Sequence, residues 1–88
     1  AVKTRYYLRM TVQDKTGVLA DVTRILADRN ISVDAMMQSE ADDTAHEAQI
    51  VIMTHECIES DIDAAREAIK ALPSTSGEVV KLRVEQLG

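Results

Sequence analysis

Apolar and polar residues alternate over residues 6–13: Tyr6, Leu8, Met10 and Val12 share one side, and Tyr7, Arg9 and Thr11 the other. A period of two with one apolar side predicts a half-buried strand. The period changes at Val18. Val18, Leu19, Val22, Ile25 and Leu26 fall at i, i+1, i+4, i+7 and i+8, which is one face of a helix over residues 18–29. Asn30 follows where helices often end in a left-handed residue, a conformation Asn tolerates better than most. A second strand is predicted over residues 31–38, with Ile31, Val33, Ala35 and Met37 on the core side and Ser32, Asp34 and Met36 opposite. Residues 40–45 are polar and acidic, which suits a hairpin loop. The nearly continuous apolar run over residues 47–54 predicts a central strand. Ser60, followed by Asp61 and Asp63, reads as the cap of a second helix with acidic residues in its first turn. Ile58, Ile62, Ala65, Ile69 and Leu72 mark its buried stripe, Pro73 stops it, and residues 74–77 form a loop. A last strand over residues 79–85 has Val80, Leu82 and Val84 inward and Lys81, Arg83 and Glu85 outward.

The element order is therefore βαββαβ. Two right-handed crossovers with a hairpin between them give an α+β, ferredoxin-like sandwich: a four-stranded antiparallel sheet with both helices on one face. Eighty-eight residues supply one core and no second domain, with an expected core over about residues 6–86. The net charge of -5 and scattered basic residues argue against nucleic acid, which requires clustered Lys and Arg. No apolar run approaches the roughly 20 residues that span a bilayer, and the start of the chain lacks a signal-peptide pattern. One cysteine, Cys57, leaves no internal disulfide and suits a reducing cytoplasm. The chain starts at Ala1 without an initiator Met, as expected of a piece cut from a longer protein.

This scaffold serves many activities, each with its own residue signature. A copper carrier needs paired cysteines in the first strand-to-helix loop, and none stand there. An RNA-recognition sheet needs exposed aromatics on its central strands, whereas Tyr6 and Tyr7 are the only aromatics. His55 and Cys57 are two apart, and His46 or Glu56 could join them, but the regular four-ligand spacing of structural zinc is missing; they read as a surface histidine and a buried thiol. Ser74, Thr75 and Ser76 have no histidine nearby in sequence, and there is no Gly-x-Gly-x-x-Gly fingerprint for a dinucleotide. The first loop also lacks an arginine to hold an acyl phosphate. No catalytic residue and no metal ligand is assigned.

The turn from Asp14 to Leu19 survives this sieve. Gly17, between strand and helix, either permits a tight turn that Asp14 caps, or lets N–H groups near Gly17 to Leu19 approach a carboxylate while Asp14 faces an ammonium group. The string Asp14-Lys15-Thr16-Gly17-Val18-Leu19-Ala20-Asp21-Val22, followed by Asn30-Ile31-Ser32-Val33, resembles the ACT domain, a small amino-acid-binding regulatory module. Tyr6-Tyr7-Leu8-Arg9, the run from Ile50 to Glu56, Ala71-Leu72-Pro73 and Arg83-Val84-Glu85 extend the likeness to the C-terminal ACT domain of bacterial homoserine dehydrogenases.

That resemblance implies a non-catalytic domain that pairs with a second copy and binds an effector amino acid, threonine, at the interface. Asp14, Thr16, Gly17, Val18 and Leu19 would come from one chain, and Asn30, Ile31 and Ser32 from the other. It further implies NAD(P)-linked chemistry on homoserine, carried out by domains outside this chain. The alternative it leaves is an ACT domain that binds no effector and only assembles subunits. Thr16 stands where the family usually has proline, and Asn30 where it usually has glycine.

Overall fold

The structure is a computed structural model and describes residues 2–42 and 46–84. Its elements run β1 (Lys3–Gln13), α1 (Val18–Asp28), β2 (Val33–Asp42), β3 (Glu47–Thr54), β4 (Cys57–Ile58), α2 (Glu59–Lys70) and β5 (Thr75–Val84). Antiparallel pairing orders the long strands β2-β3-β1-β5, with Tyr7 opposite both Met53 and Leu82. This is the expected βαββαβ sandwich with one addition. The two-residue β4 pairs Cys57 with Thr4 and Ile58 with Lys3, which makes five strands where four were expected. The expected outward face of Glu85, the end of the core near residue 86 and the second half of the loop over residues 40–45 lie outside the described residues. Glu40, Ala41 and Asp42 belong to β2, so that strand runs past the expected start of the loop.

The core lies between the sheet and its two helices. Tyr6, Leu8, Met10 and Val12 of β1 and Ala48, Ile50 and Ile52 of β3 alternate inward as their period predicts. They meet Val18, Val22 and Leu26 of α1 and Ile62, Ala65 and Ile69 of α2. Leu19, Ile25 and Leu72 pack at its edge. α1 ends as its sequence suggests. Asn30 is left-handed at φ 58°, its N–H donates to Ala27 O at 3.0 Å, and the Ile31 N–H donates to Leu26 O at 2.9 Å. This pair of bonds closes a Schellman motif and brings buried Ile31 back against the helix.

Three expectations fail, each for a local reason. In β2, Val33 pairs with Thr54 and Ala35 with Met53, so the register slips at Asp34. A bulge of one residue reverses every side chain after it. Met36 therefore lies across from buried Ile52 on the helix side, and Met37, expected inside, is 69% exposed. In β5, Gly77, Glu78 and Val79 stand against the single residue Met10, with Gly77 at φ 73°. Beside that bulge Val79 is completely buried, and Val80, Leu82 and Val84 lie on the helix-free face, where Leu82 is 56% exposed. Lys81 takes an inward position instead. Its Nζ lies over the Tyr6 ring, 5.6 Å from the ring centroid, and sits 2.6 Å from Asp63 Oδ1 and 3.3 Å from Glu59 Oε2. The hydrogen bond to Asp63, aided by Glu59 and opposed by partial burial, raises the Lys81 pKa. Finally, Ser60 is not the cap of α2. The helix starts two residues earlier than that cap implies, at Glu59, with extended Ile58 before it and no capping side chain; Glu59 and Asp61 supply the first-turn charge. The loop expected over residues 74–77 is largely the start of β5.

Candidate functional site

The turn between β1 and α1 is built by a reversal of backbone handedness. Gly17 has φ 91° and ψ −12°, a left-handed conformation that residues with a Cβ rarely adopt. A Cβ on Gly17 would meet no atom within 4 Å, so glycine is there for backbone geometry and not for close packing. The turn is fastened at four points. Asp14 N–H donates to His46 O at 2.8 Å, Lys15 N–H to Gln13 O at 2.9 Å, Val18 N–H to Lys15 O at 3.4 Å, and Asp21 N–H to Gly17 O at 3.0 Å, the last opening the helical ladder. No side chain caps α1. The N–H groups of Leu19 and Ala20 thus begin a helix without an intrahelical acceptor, where a negative group is favoured. The expectation that Asp14 caps the helix fails, because its carboxylate stays exposed and makes no ion pair among the described residues.

Thr16 and Gly17 are exposed, Leu19 half-buried, and the Val18 side chain belongs to the core, leaving only its backbone to face outward. Asn30, Ile31 and Ser32 sit at the far end of α1. That helix has 11 residues, a length of about 16 Å at 1.5 Å per residue, so one chain does not bring the two groups together. Ile31 is buried; Asn30 and Ser32 are exposed, with Ser32 O accepting the His55 N–H at 2.9 Å. Just beyond, Asp34 lies 3.6 Å from an Arg5 nitrogen and 3.4 Å from His55 Nε2.

A cleft of about 310 Å³ opens beside the turn, lined by Gln13, Asp14, Lys15 and His46. Only Asp14 among these was singled out from the sequence as a site residue. The visible signal for Lys15 was its opposite charge next to Asp14. His46 had none, because its placement depends on the β2–β3 hairpin returning to the end of β1, where Glu47 pairs with Gln13. His55 and Cys57 do not converge. His55 is exposed toward Asp34, whereas Cys57 is a buried thiol 3.8 Å from Thr54 Oγ1, and burial raises its pKa. Among the described residues, no group of three or more His, Cys, Asp or Glu is placed to hold a metal ion, and no helix is long and apolar enough to cross a membrane.

The sandwich and its open first turn define a small α+β module on the ferredoxin-like scaffold. The chain belongs to the ACT domain family, whose family model matches residues 6–74. It is 52% identical over 86 residues to a homoserine dehydrogenase of Methylobacillus glycogenes, covering 98% of this chain and 21% of that protein. Homoserine dehydrogenase of Pseudomonas aeruginosa is 42% identical over 87 residues, covering 99% of this chain and 20% of the other. The chain thus spans about a fifth of the length of the curated relatives it matches. A crystal structure of homoserine dehydrogenase from Thiobacillus denitrificans matches all of the chain at a TM-score of 0.86 and 45% identity, with 19% of that chain covered. The ACT domain from GTP pyrophosphokinase of Chlorobium tepidum shares the fold at a TM-score of 0.74 and 11% identity, over 92% of this chain and 100% of that one.

Proposed function

We propose that the chain is the amino-acid-sensing domain of a homoserine dehydrogenase, that threonine is its effector, and that it exerts feedback control on an NAD(P)-dependent oxidoreductase of aspartate-family biosynthesis in the cytoplasm. One observation carries the sensing role: the uncapped start of α1 behind left-handed Gly17, with the exposed Asp14 carboxylate, which has no ion-pair partner among the described residues, beside it. Free N–H groups suit an α-carboxylate and Asp14 suits an α-ammonium. The similarity to homoserine dehydrogenases along nearly all of this chain supports the parent enzyme. NAD(P) belongs to other domains of such an enzyme, since a turn with one glycine does not fit a pyrophosphate.

The separation of Asp14, Thr16, Gly17, Val18 and Leu19 from Asn30, Ile31 and Ser32 along α1 supports a site shared by two copies in a homodimer. Among the described residues β2 pairs only with β3, which leaves its other edge for such a partner. A thermal-shift panel of amino acids on the 88-residue chain tests sensing. A ligand at a hundredfold excess over its Kd stabilises by roughly 2.7 kcal/mol, so threonine should raise Tm by several degrees. No shift with any amino acid at millimolar concentration refutes it.

The second reading is an ACT domain that assembles subunits without an effector. It is favoured by the helix-free face, where Tyr7, Val51, Met53, Val80 and Leu82 adjoin across β3, β1 and β5. It predicts a dimer by light scattering whatever amino acid is added, weakened by Leu82→Lys.

A further inference from the structure

The cleft beside the turn carries chemistry that the turn alone does not supply. Its four lining residues are a carboxylate, an ammonium, an imidazole and an amide. None of these side chains makes a hydrogen bond or ion pair with a described residue, although Asp14 and Lys15 are adjacent and oppositely charged. Opposite charges that share a cleft without meeting match the two charges of a zwitterion. The volume of about 310 Å³ lies at the small end of the range for small-molecule sites, roughly 300–1,000 Å³.

His46 is held there at some cost. It is one of two non-glycine residues at positive φ among the described residues, at 53°, and its carbonyl accepts the Asp14 N–H. Histidine is among the residues found more often in that region, but the conformation still disfavours a side chain, and such outliers cluster at ligand sites. The same hydrogen bond that fixes the end of the hairpin places the imidazole on the wall of the cleft.

We propose that this cleft holds the free amino acid, with Asp14 on its ammonium group, Lys15 on its carboxylate and His46 on a polar side chain such as the threonine hydroxyl. The inference rests on the sensing role above and deepens it. Lys15, on the cleft wall, adds a positive charge for the ligand carboxylate to the N–H groups of α1. His46 makes the β2–β3 hairpin part of the site and gives it a preference for hydroxylated over purely apolar amino acids.

The test is calorimetric titration of the 88-residue chain and its variants with threonine, threoninamide and α-aminobutyrate. These probes keep, neutralise or remove one group at a time. Lys15→Gln should weaken threonine by about tenfold or more and leave threoninamide unchanged, because only the carboxylate is lost to it. His46→Gly should bring threonine down to the affinity of α-aminobutyrate. Glycine relaxes the left-handed backbone, so the fold survives, and circular dichroism verifies this. Threonine binding that both variants leave intact while Gly17→Asp abolishes it overturns this cleft but not sensing at the turn. A Lys15→Gln loss equal for threonine and threoninamide overturns the role given to Lys15. A wild-type chain that takes only apolar amino acids overturns that of His46. A wild-type chain that binds no amino acid overturns the sensing role and this inference with it.

Discussion

The backbone N–H of Tyr6 donates to Oγ1 of Thr54 at 3.1 Å, across 48 positions of sequence and within the core. The β1–β3 ladder runs to Tyr7 opposite Met53, and pairing resumes at Thr4 opposite Cys57. Between them a side chain serves as the acceptor. Thr54 is completely buried, so its hydroxyl completes the sheet at the break between β3 and β4. Thr54→Val preserves shape but strands the Tyr6 N–H, which should cost about 1–3 kcal/mol. Thr54→Ser keeps the acceptor and loses one methyl group, about 1 kcal/mol or less. Urea denaturation of both variants checks this, and a Val variant no weaker than the Ser variant would refute it.

Gly17 and Asn30 both hold left-handed backbone at the two ends of α1, yet they should respond in opposite directions. Gly17→Ala meets no neighbour but forces a Cβ onto φ 91°, which should cost about 1–2 kcal/mol. Asn30→Gly removes that strain at φ 58° and should leave stability unchanged or raised by up to about 1 kcal/mol. Melting temperatures of the two variants decide the matter.

The regular parts of this fold were legible because their periods were unbroken. β1 and β3 alternate without interruption, and α1 and α2 keep their apolar stripes. The left-handed residues were legible too, since Gly17 and Asn30 are residue types that tolerate that conformation. What stayed hidden was phase. Nothing around Asp34 announces a bulge, and one extra residue exchanges Met36 for Met37. Gly77 was read as part of a loop, although it lies inside β5 and shifts the strand against Met10. Once the phase is wrong, Lys81 looks like a solvent-facing residue. Its inward position becomes intelligible only with the acidic start of α2 and the face of Tyr6 beside it. The site divides in the same way: Asp14 and Gly17 are local chemistry, whereas His46 arrives through long-range pairing.

Lys81 and Cys57 give stability an alkaline limit. Asp63 and Glu59 raise the Lys81 pKa above its ordinary 10.5, so that contribution is complete below pH 10.5 and disappears as pH rises through the higher folded value. Burial raises the Cys57 pKa above 9.0, which puts the corresponding loss above pH 9.0. Unfolding free energy should therefore be insensitive to these groups near neutrality and decline above about pH 9. Lys81→Met should flatten the part of the decline above pH 10.5, and Cys57→Ala the part that begins near pH 9.0. A wild-type and double-variant pair with identical profiles between pH 8 and 11 would count against both assignments.

The reversed phase of β5 can be tested directly, because the two registers assign opposite fates to neighbouring apolar residues. Val79 is fully buried in the core cluster, whereas Leu82 is 56% exposed on the helix-free face. Val79→Ala should lose the transfer free energy of the removed carbons plus a cavity penalty, about 2 kcal/mol. Leu82→Ala should change the stability of the folded chain by about 0.5 kcal/mol or less. If β5 instead kept the alternation that its sequence suggests, Leu82 would point into the sandwich and its truncation would cost about 2–5 kcal/mol. Equilibrium denaturation of the two variants at low protein concentration, where self-association through the helix-free face does not contribute, separates the two registers.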